Sequence, residues 1–487
     1  MDDKDDSQAA SSSRRTDSRP NLWSWSAVDL ADAIRRRTIS SREAVLSALA
    51  RCDEVNPRLN AVVDVMREEA LAAADQSDRD TLSGKALGPL HGVPVTFKIN
   101  VDFAGRATTD GVVAFRNRMA TEDSSPVRNW KAAGAVCIGR TNVPAFSARY
   151  FTDNALHGRT LNPWAPDRTP GGSSGGAAAA VSVGIGALAH GNDRAGSVRY
   201  PAYACGVYGL RPSLGRIPGF SATGGDRTLI SQLTNVQGPL ARSIADIELG
   251  FNALSPYDPR DPWAVPVSPV SDSGDVPRRV ALATGVADGI PVAPEVARAL
   301  SKAAAALSAA GFEIEEASPP NLEETARLFF SLVKTEEGSA SDGPIDRYGD
   351  DVLKRARAST MAQAQTLDFT AYKEAFQRRA ILAREWQLFL ARYAGLLMPV
   401  SRQLPFPVDY DQTGDAAVTS MLNAHAPLLA VSILGLPGLA VPVSIDRQIP
   451  VGVQVVSGRF QESNCLILGA VLEAEFPISI PFNVTSN

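Results

Sequence analysis

The chain has 487 residues, of which 44% are hydrophobic and 21% charged, as is usual for a globular protein with a sizeable core. Its formal net charge of −5, without a long basic run, argues against binding to nucleic acid or to an anionic membrane surface. The four cysteines form no C-x-x-C pair and the four histidines show no ligand spacing. The sequence therefore predicts neither a disulfide framework nor a metal site, and it indicates a reducing compartment.

Residues 1–20 begin with acidic residues and lack an apolar run, which is typical of a disordered tail and not of a signal peptide or membrane anchor. No later segment has the roughly 18 uninterrupted apolar residues that a transmembrane helix needs. We therefore expect a cytoplasmic protein without a membrane or nucleic-acid partner, folded as a single domain over residues 21–487.

Helix and strand patterns follow one another along the chain from about Trp23. Ser26 and Ser40 each precede a helical pattern, and Glu43 completes a capping box with Ser40. Between residues 87 and 140, short β-rich runs alternate with helix-like stretches, as in a mainly parallel sheet with crossover helices. The sequence thus predicts an α/β fold.

A second helical region is predicted over residues 321–394, which include several aromatic residues. Such an excursion can form the wall of a substrate pocket, but ordinary core packing explains aromatic residues more often, and both interpretations stay open. Residues 428–476 then return to strand patterns and end in a helix pattern.

The segment 171–176 reads GGSSGG and runs directly into AAAAV. No lysine follows it, which argues against a phosphate-binding P-loop, and its spacing does not fit the dinucleotide fingerprint. A flexible linker and a catalytic loop both remain open from these residues alone. The apolar, helix-forming sequence that follows at once is unusual for a linker.

Two further positions point to acyl transfer. Ser197 follows Ala195 and Gly196 at a predicted tight turn, where a hydroxyl can be exposed beside a run of backbone N–H groups. Lys98 ends an apolar, strand-like run. Burial would lower the pKa of such a lysine, and a neutral lysine can act as a general base. The alternative is a lysine that reaches solvent from the end of a strand.

These segments resemble the amidase signature enzymes. The resemblance runs in the same order over nearly the whole chain, and its motifs are long and specific. It rests on HGVPVTFK at 91–98, GGSSGG at 171–176, GSVRYPAYACGVYGLRPS at 196–213, GPLAR at 238–242 and GLPGLAVP at 435–442. The resemblance implies a large mixed central β-sheet covered by α-helices on both faces, with the signature core at about 85–220.

The resemblance also implies a Ser–cisSer–Lys triad. Ser197 matches the nucleophile, Ser173 the bridging serine and Lys98 the base, and the peptide bond between Gly172 and Ser173 is expected to be cis. No cofactor or metal is implied. The backbone N–H groups expected to form the oxyanion hole belong to Arg194, Ala195, Gly196 and Ser197. The residues expected to support the triad are Gly172, Ser174 and Asp193.

The sequence departs from the family pattern at several positions. Asn192, Arg194 and Ala195 stand where the family commonly has threonine, threonine or isoleucine, and glycine. We expect Arg194 to be paired with an acid, in preference to lining a route for substrate. Ile99 replaces the usual aspartate after the base, so a more apolar environment is expected around Lys98.

The predicted function is hydrolysis of a C–N bond in a small or medium, hydrophobic amide or carbamate, with Phe146, Tyr150 and Phe151 as pocket residues. The motifs do not separate amides from carbamates or esters. The alternatives are a glutaminase subunit of a tRNA-dependent amidotransferase, an esterase-like enzyme and an inactive relative. The resemblance also favours a homodimer.

Overall fold

A single mixed sheet of eleven strands runs through the part of the chain that the computed structural model describes. The described residues are 21–225, 227–267, 276–284, 291–338, 343–478 and 480–481. The tail predicted at residues 1–20 lies outside them. The strands are β1 (Val62–Val65), β2 (Pro94–Lys98), β3 (Val136–Thr141), β4 (Leu188–Asp193), β5 (Tyr208–Arg211), β6 (Val236–Ala241), β7 (Arg279–Leu282), β8 (Glu313–Glu316), β9 (Gly395–Pro399), β10 (Gly438–Asp446) and β11 (Ile449–Val456).

The strand order is β1-β3-β2-β4-β6-β5-β10-β11-β9-β7-β8. β2 pairs in parallel with β3 and β4, and β7 pairs in parallel with β8 and β9. The middle of the sheet, from β4 through β6, β5, β10 and β11 to β9, is antiparallel. The mixed α/β class and the large mixed sheet are therefore confirmed, whereas the expectation of a mainly parallel sheet holds only for two groups of strands, β3-β2-β4 and β9-β7-β8.

Sixteen α-helices accompany the sheet in the described residues. Ser26 and Ser40 cap the first two, and Ser40 and Glu43 form the predicted capping box. The helices are α1 (Ala27–Arg35), α2 (Ser41–Leu59), α3 (Arg67–Leu82), α4 (Ser125–Ala132), α5 (Gly175–Ser182), α6 (Arg199–Cys205), α7 (Leu229–Thr234), α8 (Ile244–Leu254), α9 (Pro294–Ala309), α10 (Leu322–Glu337), α11 (Pro344–Tyr348), α12 (Asp351–Ala362), α13 (Phe369–Leu390), α14 (Asp415–Ala424), α15 (Ala426–Leu434) and α16 (Glu462–Glu475).

Two large hydrophobic clusters share strands of this sheet. On β9, Leu397 belongs to the first cluster, while Leu396 and Met398 belong to the second. On β7, Val280 and Ala281 divide in the same way. Since successive side chains of a strand point to opposite faces, the two clusters lie on opposite faces of the sheet at this end. Helices α10, α13 and α15 contribute to the second cluster.

No single helix among the described residues is long and apolar enough to cross a membrane, and one pair, α14 with α15, passes that test only together and is bent by 60°. Within the same residues no group of three or more His, Cys, Asp or Glu side chains could hold a metal ion.

Candidate active site

Lys98 is the last residue of β2, and its side chain is completely buried. Burial lowers the pKa of its ammonium group to about 7, although the carboxylates of Asp110 and Asp193 act in the opposite direction. Its Nζ lies 2.7 Å from Ser173 Oγ and 2.6 Å from Asn192 Oδ1. The alternative of a lysine that reaches solvent is therefore wrong. A lysine in this environment can serve as a base near neutral pH.

The segment 171–176 is buried throughout and leads into α5, so its interpretation as a flexible linker is wrong. The peptide bond between Gly172 and Ser173 is cis, as predicted. A Cβ on Gly172 would lie 2.4 Å from the carbonyl oxygen of Arg149, and one on Gly176 would lie 2.5 Å from the backbone nitrogen of Asn142. These glycines are required because other backbone segments approach too closely for a side chain.

Ser174 connects this segment with the loop that carries Ser197. The backbone N–H of Ser174 donates to the carbonyl of Ser197 at 3.3 Å. Its hydroxyl donates to the carbonyl of Asn192 at 3.3 Å. Ser174 is fully buried, so these hydrogen bonds are formed away from water and fix the distance between the segment 171–176 and the loop that carries Ser197.

Asp193, the last residue of β4, is fully buried between two arginines. Its carboxylate accepts from Arg199 Nε at 3.0 Å and from Arg211 Nη1 at 3.0 Å. Burial alone would raise the pKa of the Asp193 carboxyl, but the two guanidinium groups hold it well below its usual range. The carboxylate is therefore ionised, and it can accept further hydrogen bonds from the backbone that follows.

The backbone of residues 194–198 folds around this carboxylate. The N–H of Gly196 donates to Asp193 Oδ1 at 2.8 Å, and that of Val198 donates to Oδ2 at 3.2 Å. The N–H of Gly196 is therefore directed to Asp193, which corrects the expectation that it serves the oxyanion. Within the described residues, the predicted donors whose N–H groups make no hydrogen bond to protein are Arg194, Ala195 and Ser197.

The guanidinium group of Arg194 forms an ion pair with Glu337 at the end of α10, as the sequence predicted. Arg194 Nη1 lies 3.4 Å from Glu337 Oε2. The hydroxyl of Thr228 also donates to Glu337. Both members of the ion pair also line the cavity next to Ser197, and the alternative role of Arg194 along a substrate route stays a prediction.

Ser173 and Ser197 line one cavity of about 630 Å³. The helical region predicted over 321–394 supplies part of the cavity wall through α10 and α12, and its role in binding substrate stays a prediction. Tyr372 and Phe376 of α13 instead pack against each other, with ring centroids 5.0 Å apart. The larger apolar side chains that line the cavity are Phe146, Tyr150, Phe329, Phe330, Ile345, Met361, Met421 and Leu422.

Two of the three predicted pocket residues lie at the cavity, Phe146 and Tyr150. The hydroxyl of Tyr150 donates to the carbonyl of Ala195 at 2.8 Å, so it also holds the loop before Ser197. The prediction for Phe151 is wrong, because this residue does not line the cavity and is 3% exposed within the first core cluster. Tyr150 belongs to the same cluster, but its side chain also reaches the cavity.

The surroundings of Lys98 are more polar than the sequence predicts. Asn192, Asn100, Ser147 and Asp110 all line the cavity and are joined by hydrogen bonds to one another and to Lys98. Ile99 stands where the family has an aspartate, but the environment of Lys98 is nevertheless polar. The sequence marks Asn192 only as a departure from the family pattern, and no spacing relates the other three, which lie on separate segments.

A model of the family described as Amidase matches residues 43–466. The chain belongs to the amidase signature family. Indoleacetamide hydrolase of Bradyrhizobium diazoefficiens is 42% identical over 454 residues, which cover 93% of this chain and 86% of that protein. A glutamyl-tRNA(Gln) amidotransferase subunit from Deinococcus radiodurans is 32% identical over 488 residues, which cover 92% and 96%.

The solved structure of 6-aminohexanoate cyclic dimer hydrolase with its substrate matches this amidase signature enzyme with a TM-score of 0.81 and 26% identity, over 95% of this chain and 100% of that one. The predicted family and fold are thereby confirmed. So is the predicted enzyme class, a hydrolase of carbon–nitrogen amide bonds.

Proposed function

We propose that this amidase signature enzyme hydrolyses the primary amide of a small aromatic carboxylic acid through an acyl-enzyme on Ser197, with indole-3-acetamide as the first candidate. The observation that carries the proposal is the 2.7 Å contact between Lys98 Nζ and Ser173 Oγ beside a cavity that Ser197 also lines. A buried base joined to a serine, next to a second serine, is the arrangement that activates a hydroxyl nucleophile.

The proposed proton transfers need no group beyond the three side chains and water. Ser197 Oγ attacks the amide carbonyl carbon while its proton passes to Ser173 and the proton of Ser173 passes to neutral Lys98. The tetrahedral intermediate collapses when Lys98 returns a proton through Ser173 to the departing nitrogen, which leaves as ammonia. Water then attacks the acyl-enzyme by the same route, and the carboxylic acid leaves as Ser197 regains its proton.

The oxyanion of each tetrahedral intermediate is proposed to bind the free N–H groups of the loop at 194–197. Gly196 is left out of this set because its N–H donates to Asp193. One such donor typically contributes about 3–4 kcal/mol of transition-state stabilisation.

The aromatic acyl group is supported by the cavity and by the comparisons. The cavity of about 630 Å³ carries four aromatic side chains, Phe146, Tyr150, Phe329 and Phe330. Pockets of this size and lining enclose a small aromatic ligand. The relative at 42% identity is named for the hydrolysis of indoleacetamide. A carbamate of similar shape would present the same carbonyl to Ser197, and we keep it as an arm of the test.

The test measures ammonia released from indole-3-acetamide, and chromophore released from a matched anilide, aryl carbamate and ester, by wild type and by Ser197→Ala. We expect turnover of the primary amide and a loss of at least about 1,000-fold in kcat/KM for the variant. Cleavage of the ester alone would overturn amide hydrolysis as the activity. Turnover of glutamine only with partner subunits would favour the amidotransferase alternative.

A further inference from the structure

One wall of the cavity carries a continuous chain of polar side chains outside the triad. The hydroxyl of Ser147 donates to Asp110 Oδ1 at 2.7 Å, and Asn100 Nδ2 donates to Ser147 Oγ at 3.0 Å. Asn192 Nδ2 donates to Asn100 Oδ1 at 3.0 Å. Asn192 Oδ1 then accepts from Lys98 Nζ at 2.6 Å. The chain therefore joins a carboxylate to the base.

The direction of these hydrogen bonds is set at the Asp110 end. Burial raises the pKa of the Asp110 carboxyl to about 6, so it is ionised at neutral pH and above. An ionised carboxylate can only accept, so Ser147 must donate to it, and the oxygen of Ser147 is left to accept. The amide nitrogen of Asn100 therefore faces Ser147, which turns its amide oxygen towards Asn192. The same rule places the amide oxygen of Asn192, and not its nitrogen, on Lys98.

This orientation matters for a base. A neutral lysine amine has two N–H bonds and one lone pair. When Asn192 Oδ1 accepts one N–H, the lone pair can point at Ser173 Oγ, 2.7 Å away, from which it must take a proton. If the amide of Asn192 were turned over, its NH₂ group would compete with Ser173 for that lone pair.

We propose that Asp110 is a positioning residue, which acts through Ser147, Asn100 and Asn192 to keep the lone pair of Lys98 directed at Ser173. This inference rests on the proposed roles of Lys98 and Ser173 and deepens them. Within this series of hydrogen bonds, Asp110 contacts neither Ser173 nor Ser197.

The carboxylate of Asp110 also acts on Lys98 through its charge. The other charged or titratable groups near Lys98 are Asp193, which is already paired with two arginines, and His190. Burial lowers the pKa of His190 to about 3, so it is neutral in the working range. Arg118 is the further charged group near Asp110. Because a nearby carboxylate favours the charged amine, removing that of Asp110 should lower the pKa of Lys98.

The experiment compares Asp110→Asn and Ser147→Ala with wild type. It records the pH dependence of kcat/KM on the amide that wild type cleaves, and the pH dependence of the rate at which a fluorophosphonate modifies Ser197. For Asp110→Asn we expect the plateau to fall about tenfold and the acid limb to move to lower pH by about half a unit or more. Ser147→Ala keeps every charge, so it should lower the plateau through kcat, with KM and the limb unchanged.

Asp346→Asn is the matched control, since it removes an exposed carboxylate of the same cavity that lies outside the chain of hydrogen bonds. Its acid limb should stay where wild type has it. The proposal is overturned if both variants keep the wild-type plateau, or if Asp110→Asn shifts the limb no further than Asp346→Asn does. A failure of the proposed function looks different, because Ser197→Ala would then retain hydrolysis or phosphonylation.

Discussion

A carboxylate enclosed by two guanidinium groups loses its hydration, and at Asp193 this loss is offset by several directed hydrogen bonds. Asp193, Arg199 and Arg211 are each 0% exposed. Besides the arginines, the carboxylate receives the backbone N–H groups of Gly196 and Val198. The side chain of Asp193 thus holds the loop that carries Ser197, and its negative charge is buried in the core.

Asp193→Asn is therefore expected to lower the free energy of unfolding by about 3–5 kcal/mol, because it leaves two buried guanidinium groups without their counter-charge. Asp75→Asn is the control, since Asp75 and Arg42 are 41% and 45% exposed and such an ion pair contributes at most about 1 kcal/mol. Urea denaturation gives both values. An Asp193→Asn protein no less stable than Asp75→Asn would show that the hydrogen bonds hold the loop without the charge.

Among single residues, those that lie within a local sequence motif can be predicted from the sequence. Lys98 and the segment at 171–176 are recognisable because a buried strand end and close backbone approach each restrict the residue types allowed. The prediction for Phe151 is wrong because only its neighbour Tyr150 faces the cavity, and sequence alone does not show which way adjacent side chains turn. Asp110 could not be found, since its link to Lys98 depends on contacts between distant segments.

Among the elements, α10 joins the cavity to the second core cluster. Phe329 of α10 is buried, and its ring centroid lies 5.1 Å from that of Phe330, which is half-buried and faces the cavity. About two turns further on, Glu337 pairs with Arg194 of the loop that carries Ser197. Helical periodicity predicts that α10 has an apolar face, but it does not tell whether a core or a ligand covers that face.

Phe330→Ala is expected to raise KM for an aromatic amide by roughly tenfold, since burying a phenylalanine side chain contributes about 1.5–3 kcal/mol. Phe376→Ala is the matched control, because Phe376 is also half-buried and also packs against one other ring, that of Tyr372, but away from the cavity. The measurement is KM for indole-3-acetamide by steady-state kinetics in both variants. An equal change of KM in both variants would mean that α10 does not contact the acyl group.

At the scale of the whole molecule, the two core clusters share strands β7 and β9, and the prediction of a single domain requires that the clusters unfold together. Leu397 of β9 packs in the first cluster and Leu396 in the second, so neither cluster can lose its side of β9 without exposing the other. Each cluster contains one fully buried tryptophan, Trp130 in the first and Trp386 in the second.

Trp130→Phe leaves Trp386 as the fully buried fluorophore within the described residues, and Trp386→Phe leaves Trp130. In urea, we expect the fluorescence and far-ultraviolet circular dichroism transitions to coincide within each variant, because both clusters are built on the same strands. The comparison is made within a variant, since each substitution also changes the overall stability. A fluorescence transition that precedes the loss of secondary structure in one variant but not in the other would show two separately unfolding units.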